Sequence, residues 1–278
     1  MPVTIPLSSW MAHVANQNIP LSHLSIPGTH DSCAKSSVPL VPTQSLTIPE
    51  QADQGIRFFD FRVNLSAKKN AVLVHGDYPL GLRLVDVLQN LCDVIFSIIY
   101  SNQGRWRLGT DIPNLSDIRG KIQLVRRFPL FPPHPANSAG LDVTKWKDND
   151  ASPFNICATP GNFTQNVRIQ DKYSFSYAMG GPWKTIPLKF GMVKSLMEEA
   201  ASQQRPDVWY FNYTSAVTAG IGVATPWDYA QGFWDDERGK YCEGVNSCRT
   251  DTLFPYFSLP IIILINYFIT IVYNSNLR

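Results

Sequence analysis

Apolar runs recur along the chain, with polar or amphipathic stretches between them. Eight of these runs are short and rich in branched or aromatic side chains, which is typical of buried strands. They predict strands at residues 22–27, 57–63, 71–75, 93–100, 121–127, 168–174, 208–213 and 260–266. Apolar residues at helical spacing predict helices at 83–91 and 190–203. This alternation predicts an α/β fold, and the strand number favours one distorted TIM-type β/α barrel over residues 1–278.

The most apolar stretch of the chain extends from Leu259 to Tyr273. It is interrupted by Asn266 and is shorter than the roughly 20 apolar residues that a membrane-spanning helix needs. Its β-branched content predicts a buried strand, so we interpret 259–278 as an apolar C-terminal strand or tail. A membrane tail is the second alternative.

Composition limits the classes of function. With 278 residues, 44% of them hydrophobic, the chain can bury a large core. Its net charge of +2, without a cluster of lysines and arginines, argues against a nucleic-acid partner. The five cysteines show no Cys-x-x-Cys spacing, and only Cys242 and Cys248 could close a small ring, with free thiols as the alternative.

The compartment is weakly determined by the sequence. Residues 1–6 lack a basic region followed by an apolar core, so we expect no secretory signal, although a processed mature form would have lost one. The protein is therefore expected to be either secreted and extracellular or cytoplasmic, and peripheral at membranes.

Reactive side chains lie at or near the ends of the first three predicted strands. In chain order they are His30, Asp31, Asp60, Arg62 and His75. In a β/α barrel the carboxyl ends of the strands meet at one mouth, so we expect these side chains to converge. Two histidines that titrate near neutral pH, two carboxylates and a guanidinium are suited to cleaving a phosphodiester.

The motifs that carry these residues resemble one known family. SIPGTHDS at 25–32, GIRFFDFR at 55–62 and VHG at 74–76 resemble, in order and spacing, the catalytic X-domain of bacterial-type phosphatidylinositol-specific phospholipase C. Later strands of that family are similar to residues 115–128, 169–173 and 210–216. The resemblance is strongest in about the first 80 residues of the chain.

The resemblance implies a lyase that cleaves phosphatidylinositol to diacylglycerol and inositol 1,2-cyclic phosphate. It makes His30 the general base and His75 the general acid. Arg62 would stabilise charge on the phosphate oxygens, and Asp31 would support the acid and the leaving group. Asp60 would help to hold the arginine.

The resemblance also implies residues that orient the base and bind the substrate. Asn266 stands where the family has an aspartate that orients the general base. Arg127 and Asp171 would bind inositol hydroxyls, with Tyr173 stacked on the ring. A polar strand end is the alternative for Asp171 and Tyr173.

We expect no metal or other cofactor. Calcium-dependent animal members of the family carry a carboxylate where this chain has Arg62, and a guanidinium replaces the charge of the cation. Asp31 and Asp60 alone are too few for a calcium shell of about six to eight oxygens.

The expected partners are a lipid and a membrane surface. The lipid is phosphatidylinositol or a glycosyl-phosphatidylinositol, and the protein is expected to be a monomer without a nucleic-acid partner. Exposed apolar residues around the mouth would contact the bilayer, and the late loop offers Trp227, Phe233 and Trp234.

Two other functions stay open. One is a catalytically impaired binding protein for inositol phospholipids, suggested by Asn266 and by a shortened region between Val85 and Trp106 that lacks a substrate lysine of the family. The other is a metal-dependent phosphodiesterase that acts on glycerophosphodiesters or sphingolipids.

Overall fold

Parallel strands dominate the fold of the chain, which we describe from a computed structural model. The structure describes residues 6–14, 18–32, 44–65, 71–73, 96–97, 99–101, 103–134, 140–158, 166–203, 205, 207–219, 224–245 and 268–273. It describes the backbone alone for residues 62–65, 71–73, 203, 219 and 268–273.

The described strands are short and form four sheets. In chain order they are β1 (Gly28–Thr29), β2 (Phe58–Leu65), β3 (Ala71–Leu73), β4 (Trp106–Arg107), β5 (Ile122–Arg126), β6 (Leu141–Asp142), β7 (Phe154–Ile156), β8 (Val167–Gln170), β9 (Ser174–Ser176), β10 (Trp209–Asn212), β11 (Val217–Ala219), β12 (Gly232–Asp235), β13 (Lys240–Glu243) and β14 (Phe268–Tyr273).

The largest sheet has seven strands in the order β1-β2-β14-β5-β4, with β3 beside β2 and β6 beside β5. All of its pairs are parallel except β2 with β3. A second sheet has the order β10-β8-β7, in which β10 and β8 are parallel. The strands β9 and β11 form a parallel pair, and β12 and β13 form an antiparallel hairpin.

Within the described residues, three α-helices have assigned bounds, residues 96–97 and 99–101 are also helical, and several 3₁₀ helices accompany them. The α-helices are α1 (Ile48–Asp53), α2 (Pro182–Gln203) and α3 (Pro226–Gln231). The 3₁₀ helices are Leu7–His13, Leu21–His23, Gln103–Arg105, Leu115–Ile118 and Tyr177–Met179. Among the helices that the structure describes, none has the length and apolar character to cross a membrane.

Capping residues fix where the two short α-helices begin. Thr47 and Glu50 form a reciprocal capping box at the start of α1, and Thr225 and Asp228 form another at the start of α3. Each helix also has a proline in its first turn, where the missing N–H has no helical partner to lose.

The long helix α2 packs on the parallel sheet of β8 and β10. Its buried face contributes Val193 and Leu196 to an apolar core that also contains Ile169 and Trp209. The parallel register pairs Gln170 with Asn212, so the carboxyl ends of β8 and β10 lie side by side. Polar side chains that follow these two strands are therefore held together at one edge.

Most of the predicted elements are confirmed within the described residues. The strands predicted at 57–63, 121–127, 168–174 and 208–213 correspond to β2, β5, β8 and β10, and α2 contains the helix predicted at 190–203. The strand β3 lies within the segment predicted at 71–75.

Two predicted strands are wrong. Residues 96–97 and 99–101 are helical, not part of a strand at 93–100. Phe96 and Ile99 are both buried at a spacing of one helical turn, which an apolar run of this length satisfies as readily as a strand pattern. The segment predicted at 22–27 instead begins in the 3₁₀ helix Leu21–His23, and the parallel pairing begins only at Gly28.

The C-terminal prediction is only partly within the described residues. The strand β14 lies in the second half of the apolar run, whereas 260–266, the helix predicted at 83–91 and the residues His75 and Asn266 lie outside the described residues. Closure of a barrel would pair the last strand with the first, but β14 lies between β2 and β5. Over the described residues, the sheets therefore do not close into a barrel.

Candidate active site

His30 lies between two buried carboxylates at the end of β1. Its Nδ1 is 2.7 Å from Oδ2 of Asp60, and its Nε2 is 3.3 Å from Oδ2 of Asp31. The side chains of Asp60 and Asp31 are almost completely buried, whereas that of His30 is 24% exposed. A histidine that is both accessible and held by carboxylates can accept and hold a proton.

Strand register places His30 beside Asp60. Gly28 pairs with Phe58 and Thr29 with Phe59, so the residue that follows β1 lies next to Asp60 of β2. A Cβ atom on Gly28 would be 2.7 Å from the Cβ of Phe58, so the two strands approach at a point that only glycine allows.

Hydrogen bonds lock the turn that follows His30. The amide of Ser32 donates to the carbonyl of Asp60 at 2.8 Å, and the amide of Asp60 donates to Oγ of Ser32 at 2.8 Å. The hydroxyl of Thr29 lies 2.7 Å from Oε1 of the buried Gln51 and donates to it. Asp31 has a φ of +45°, so the turn bends sharply to place its carboxylate near Nε2 of His30.

A second cluster forms around Trp146. Its indole Nε1–H donates to Oδ2 of Asp171 at 2.6 Å, and the guanidinium of Arg127 lies 4.5 Å from the centre of the indole ring. Arg127 follows β5 and Asp171 follows β8, so Trp146 joins two of the residues predicted to bind inositol. The guanidinium over the ring is a favourable cation–π contact.

Tyr213 connects the two clusters. Its ring packs edge-on against His30 with 5.7 Å between centroids, and against Trp146 with 5.5 Å. Tyr213 comes directly after β10 and is partly buried. His30 and the Asp171 cluster therefore belong to one continuous site.

Burial and charge oppose each other at Asp171. Desolvation raises the pKa of its carboxyl group above the ordinary value of 3.8. The hydrogen bond from Trp146 and the positive charges of Arg127, His30 and Lys189 act in the lowering direction. The ionised carboxylate therefore has a desolvation cost that the hydrogen bond and the nearby positive charges only partly offset.

Tyr173 is held two residues beyond Asp171. Its hydroxyl donates to Oδ2 of Asp148 at 2.9 Å, and its amide donates to Oδ1 of Asn149 at 3.1 Å. The ring is partly buried. Its position is therefore set by residues 148 and 149.

Five of the nine predicted site residues lie in the two clusters. His30, Asp31 and Asp60 form the first cluster, and Arg127 and Asp171 meet in the second. Tyr173 is close to Asp171 in the chain, and Arg62 lies in β2, where the backbone alone is described. His75 and Asn266 lie outside the described residues.

Sequence reasoning missed Trp146 and Tyr213 as site residues. Tyr213 lies in the segment 210–216, whose likeness to a strand of the family was a usable signal. Trp146 stands in the polar stretch 144–150 and had no such signal. Its role becomes visible only when β5 and β8 are brought together.

The first cluster could also hold a cation. One ligand atom from each of His30, Asp31 and Asp60 lies within 4.8 Å of the others. These three donors fit a small divalent ion, although a calcium shell needs about six to eight oxygens. Solvent or substrate oxygens would have to complete such a shell.

Fold and site together define a class of protein. Parallel strands place an accessible histidine between carboxylates at their carboxyl ends, an arrangement suited to acid–base chemistry and typical of the mouth of β/α barrels. Comparison with protein-family models gives no match.

Comparison with individual proteins finds similar proteins with related names. A 1-phosphatidylinositol phosphodiesterase from Staphylococcus aureus (strain Newman) is 25% identical over 264 residues, covering 80% of this chain and 79% of that protein. One from Listeria monocytogenes is 26% identical over 161 residues, covering 44% and 49%. The human PI-PLC X domain-containing protein 2 is 30% identical over 116 residues, covering 30% of this chain and 37% of its own.

Solved structures agree on the fold. A double mutant of the Staphylococcus aureus phosphatidylinositol-specific phospholipase C has a TM-score of 0.69 at 20% identity, covering 97% of this chain and 91% of that one. The Listeria monocytogenes enzyme has a TM-score of 0.59 at 20% identity, covering 97% and 94%. These likenesses confirm the predicted fold class, a distorted TIM-type barrel, although the described sheets of this chain do not themselves close. The chain is similar to the bacterial-type phosphatidylinositol-specific phospholipases C over four-fifths of its length, as its motifs predict.

Proposed function

We propose that the protein is a phosphatidylinositol-specific phospholipase C that releases diacylglycerol and inositol 1,2-cyclic phosphate. The observation that carries the proposal is the contact of His30 with Asp60 and Asp31 at the strand ends, continuous through Tyr213 with the Asp171 cluster. Relatives that align with four-fifths of the chain bear the name 1-phosphatidylinositol phosphodiesterase.

The reaction begins with proton transfer to His30. Asp60 faces Nδ1, and Nε2, which lies 3.3 Å from Oδ2 of Asp31, takes the proton of the inositol 2-hydroxyl in this mechanism. The hydroxyl oxygen then attacks the phosphorus of the same molecule, an intramolecular step that avoids the entropic cost of bringing in water. The two carboxylates stabilise the imidazolium that forms.

The leaving group needs a second proton. As the new P–O bond forms, the bond from phosphorus to the glycerol oxygen breaks, and His75 protonates that oxygen to release diacylglycerol. Arg62 stabilises the charge on the phosphate oxygens. These two roles rest on the family resemblance, and Arg62 follows Asp60 by two residues in β2.

Asp60 takes the orienting role that the sequence analysis gave to Asn266. A carboxylate 2.7 Å from Nδ1 fixes the tautomer, and its negative charge stabilises the imidazolium. The neutral amide of an asparagine cannot supply that charge, which here comes from Asp60. An asparagine at 266 is therefore compatible with turnover. This favours the enzyme over the impaired binding protein.

Inositol hydroxyls bind at the second cluster in this proposal. Asp171 accepts hydrogen bonds and Arg127 donates them, while Trp146 keeps the two side chains at a fixed separation. Tyr173 offers a ring face for the sugar, held by its hydrogen bond to Asp148.

The lipid is reached from a membrane surface. Trp234 and Tyr241 are cross-strand partners in the β12–β13 hairpin and are 59% and 50% exposed, and Trp227 of α3 is 55% exposed. Such amphipathic rings suit a membrane interface. Phe233 is not comparably exposed, because it is partly buried and packs on Trp183.

The hairpin and the turn that joins its strands contact the first turn of α2. Asp235 accepts a hydrogen bond from Nε1 of Trp183 at 2.5 Å, and Arg238 lies 5.6 Å from the centre of the same ring. Trp183 is the second residue of α2. The lipid is phosphatidylinositol or a glycosyl-phosphatidylinositol, and one copy of the chain supplies every described site residue.

The experiment follows the phosphorus product. The protein is mixed with phosphatidylinositol vesicles and excess chelator, and ³¹P NMR follows the products. The expected first product is inositol 1,2-cyclic phosphate at a rate that the chelator does not change. Activity that the chelator removes would favour the metal-dependent phosphodiesterase, whose supporting observation is the donor set of His30, Asp31 and Asp60. Vesicle binding without a product would favour the impaired binding protein.

A further inference from the structure

Lys189 is a fully buried lysine that the proposed reaction does not use. It lies on α2, and its side chain has no exposed surface. Its Nζ donates to Oε1 of Gln170 at 3.0 Å and to the carbonyl of Lys172 at 2.5 Å. These two acceptors stand immediately before and after Asp171 in the chain.

The acceptors of Lys189 belong to a buried polar network beneath the site. Gln170 also donates to Oδ1 of Asn212 at 2.8 Å and to the carbonyl of Tyr213 at 2.9 Å. Asn212 in turn donates to the carbonyl of Val193 on α2 at 2.8 Å. The network ties α2 to the carboxyl ends of β8 and β10, from which Asp171 and Tyr213 enter the site.

Asp171 is the negatively charged group that stabilises the ammonium of Lys189. Asp171 favours the ammonium electrostatically and Lys172 opposes it, while burial lowers the pKa of Lys189 to about 7. Arg168 of β8 and Glu199 of α2 form another charged pair, in which guanidinium nitrogens donate to both carboxylate oxygens at 2.9 to 3.3 Å. The charges of these two side chains therefore neutralise each other. Among the described residues, the ammonium of Lys189 therefore serves the Asp171 segment.

We propose that Lys189 is a positioning residue for the inositol site, because its ammonium fixes the segment from Gln170 to Lys172 and supplies a counter-charge for the Asp171 carboxylate. The inference rests on the proposed function, since it assigns Asp171 to inositol hydroxyls. A neutral amine keeps two N–H donors but loses the charge. Affinity for the headgroup should then fall as pH rises through neutrality, without an equal loss in kcat.

The test compares Lys189→Met with Lys184→Met. Lys184 lies on the same helix and is exposed, so it serves as a matched control. KM for phosphatidylinositol and the inhibition constant of myo-inositol are measured from pH 6 to pH 9. For the natural protein and Lys184→Met we expect both to rise roughly tenfold across this range, the change that about one pKa unit of lost interaction produces. For Lys189→Met we expect both to be high at every pH.

Each outcome decides between the two proposals. If KM and the inhibition constant of the natural protein do not change with pH, the role of Lys189 is overturned. This result does not depend on whether the Lys189→Met variant folds. Active Lys189→Met with the pH profile of the natural protein overturns this role as well. Absence of phosphatidylinositol cleavage by the natural protein instead overturns the proposed function.

Discussion

At the scale of single residues, the proposed chemistry depends on the contact between His30 and Asp60. A carboxylate on Nδ1 sets which ring nitrogen takes the substrate proton. We expect Asp60→Asn to lower kcat by roughly 10²- to 10⁴-fold with little change in KM, as amide replacement of a histidine's carboxylate partner does in other enzymes. Initial rates of cyclic phosphate release measure this effect. A kcat within a few-fold of the natural value would assign the orienting role elsewhere.

Asp171 is expected to lower the stability of the folded protein while it serves substrate binding. Burial raises its pKa, so the folded protein holds this proton more tightly than the unfolded chain does. Between pH 3.8 and that raised pKa, stability falls as pH rises, and at neutral pH the ionised carboxylate carries a cost. We expect Asp171→Asn to raise the Tm at pH 7, because the substitution removes this cost.

The same variant should bind substrate poorly. An amide replaces the charged acceptor of inositol hydroxyls, so KM should rise at least roughly tenfold. A Tm below that of the natural protein, measured by calorimetry at pH 7, would mean that Asp171 stabilises the fold.

At the scale of elements, the close pairing of β1 with β2 holds His30, the proposed general base. A methyl group on Gly28 would meet Phe58 at 2.7 Å and force the strands apart. We expect Gly28→Ala to lower the free energy of unfolding by about 1 to 3 kcal/mol, the usual cost of overpacking, and to reduce kcat. Gly104→Ala is the control, because a Cβ there has no neighbour within 4 Å among the described residues. Urea denaturation measures both variants, and equal stabilities would contradict the account.

The β12–β13 hairpin is the element expected to contact the membrane. We expect Trp234→Ala to weaken binding to phosphatidylinositol-containing vesicles roughly tenfold, corresponding to about 1.4 kcal/mol, while leaving hydrolysis of a soluble substrate intact. Leu7→Ala is the control, because Leu7 is 57% exposed on an N-terminal 3₁₀ helix. Vesicle sedimentation measures both, and an equal effect of the two substitutions would remove the hairpin from the membrane contact.

Elements with a strong pattern could be predicted, and those that depend on distant contacts could not. Alternation in β2 and helical spacing in α2 are local properties, so the sequence indicates both. The helical segment around Phe96 was predicted as a strand because a short apolar run fits either structure. Trp146 could not be assigned to the site, since its partners Arg127 and Asp171 are far from each other in the chain.

At the scale of the whole molecule, the proposed mechanism assigns two clusters to one substrate. We propose that the first takes the proton from the 2-hydroxyl and that the second holds the other hydroxyls, and Tyr213 joins them between His30 and Trp146. In the same proposal the exposed aromatic hairpin keeps the protein at the bilayer, so that the headgroup enters while the lipid tails stay in place. Phospholipase C activity of the whole chain depends on all three features.

The most direct test of this account is the rate of inositol 1,2-cyclic phosphate formation by His30→Ala. His13→Ala is the matched control, because His13 is exposed on the 3₁₀ helix Leu7–His13. The account predicts that the folded His30→Ala protein still binds phosphatidylinositol vesicles but forms no cyclic phosphate, whereas His13→Ala retains the natural rate. Cyclic phosphate formed by His30→Ala at the natural rate would contradict the assignment of the general base and the mechanism built on it.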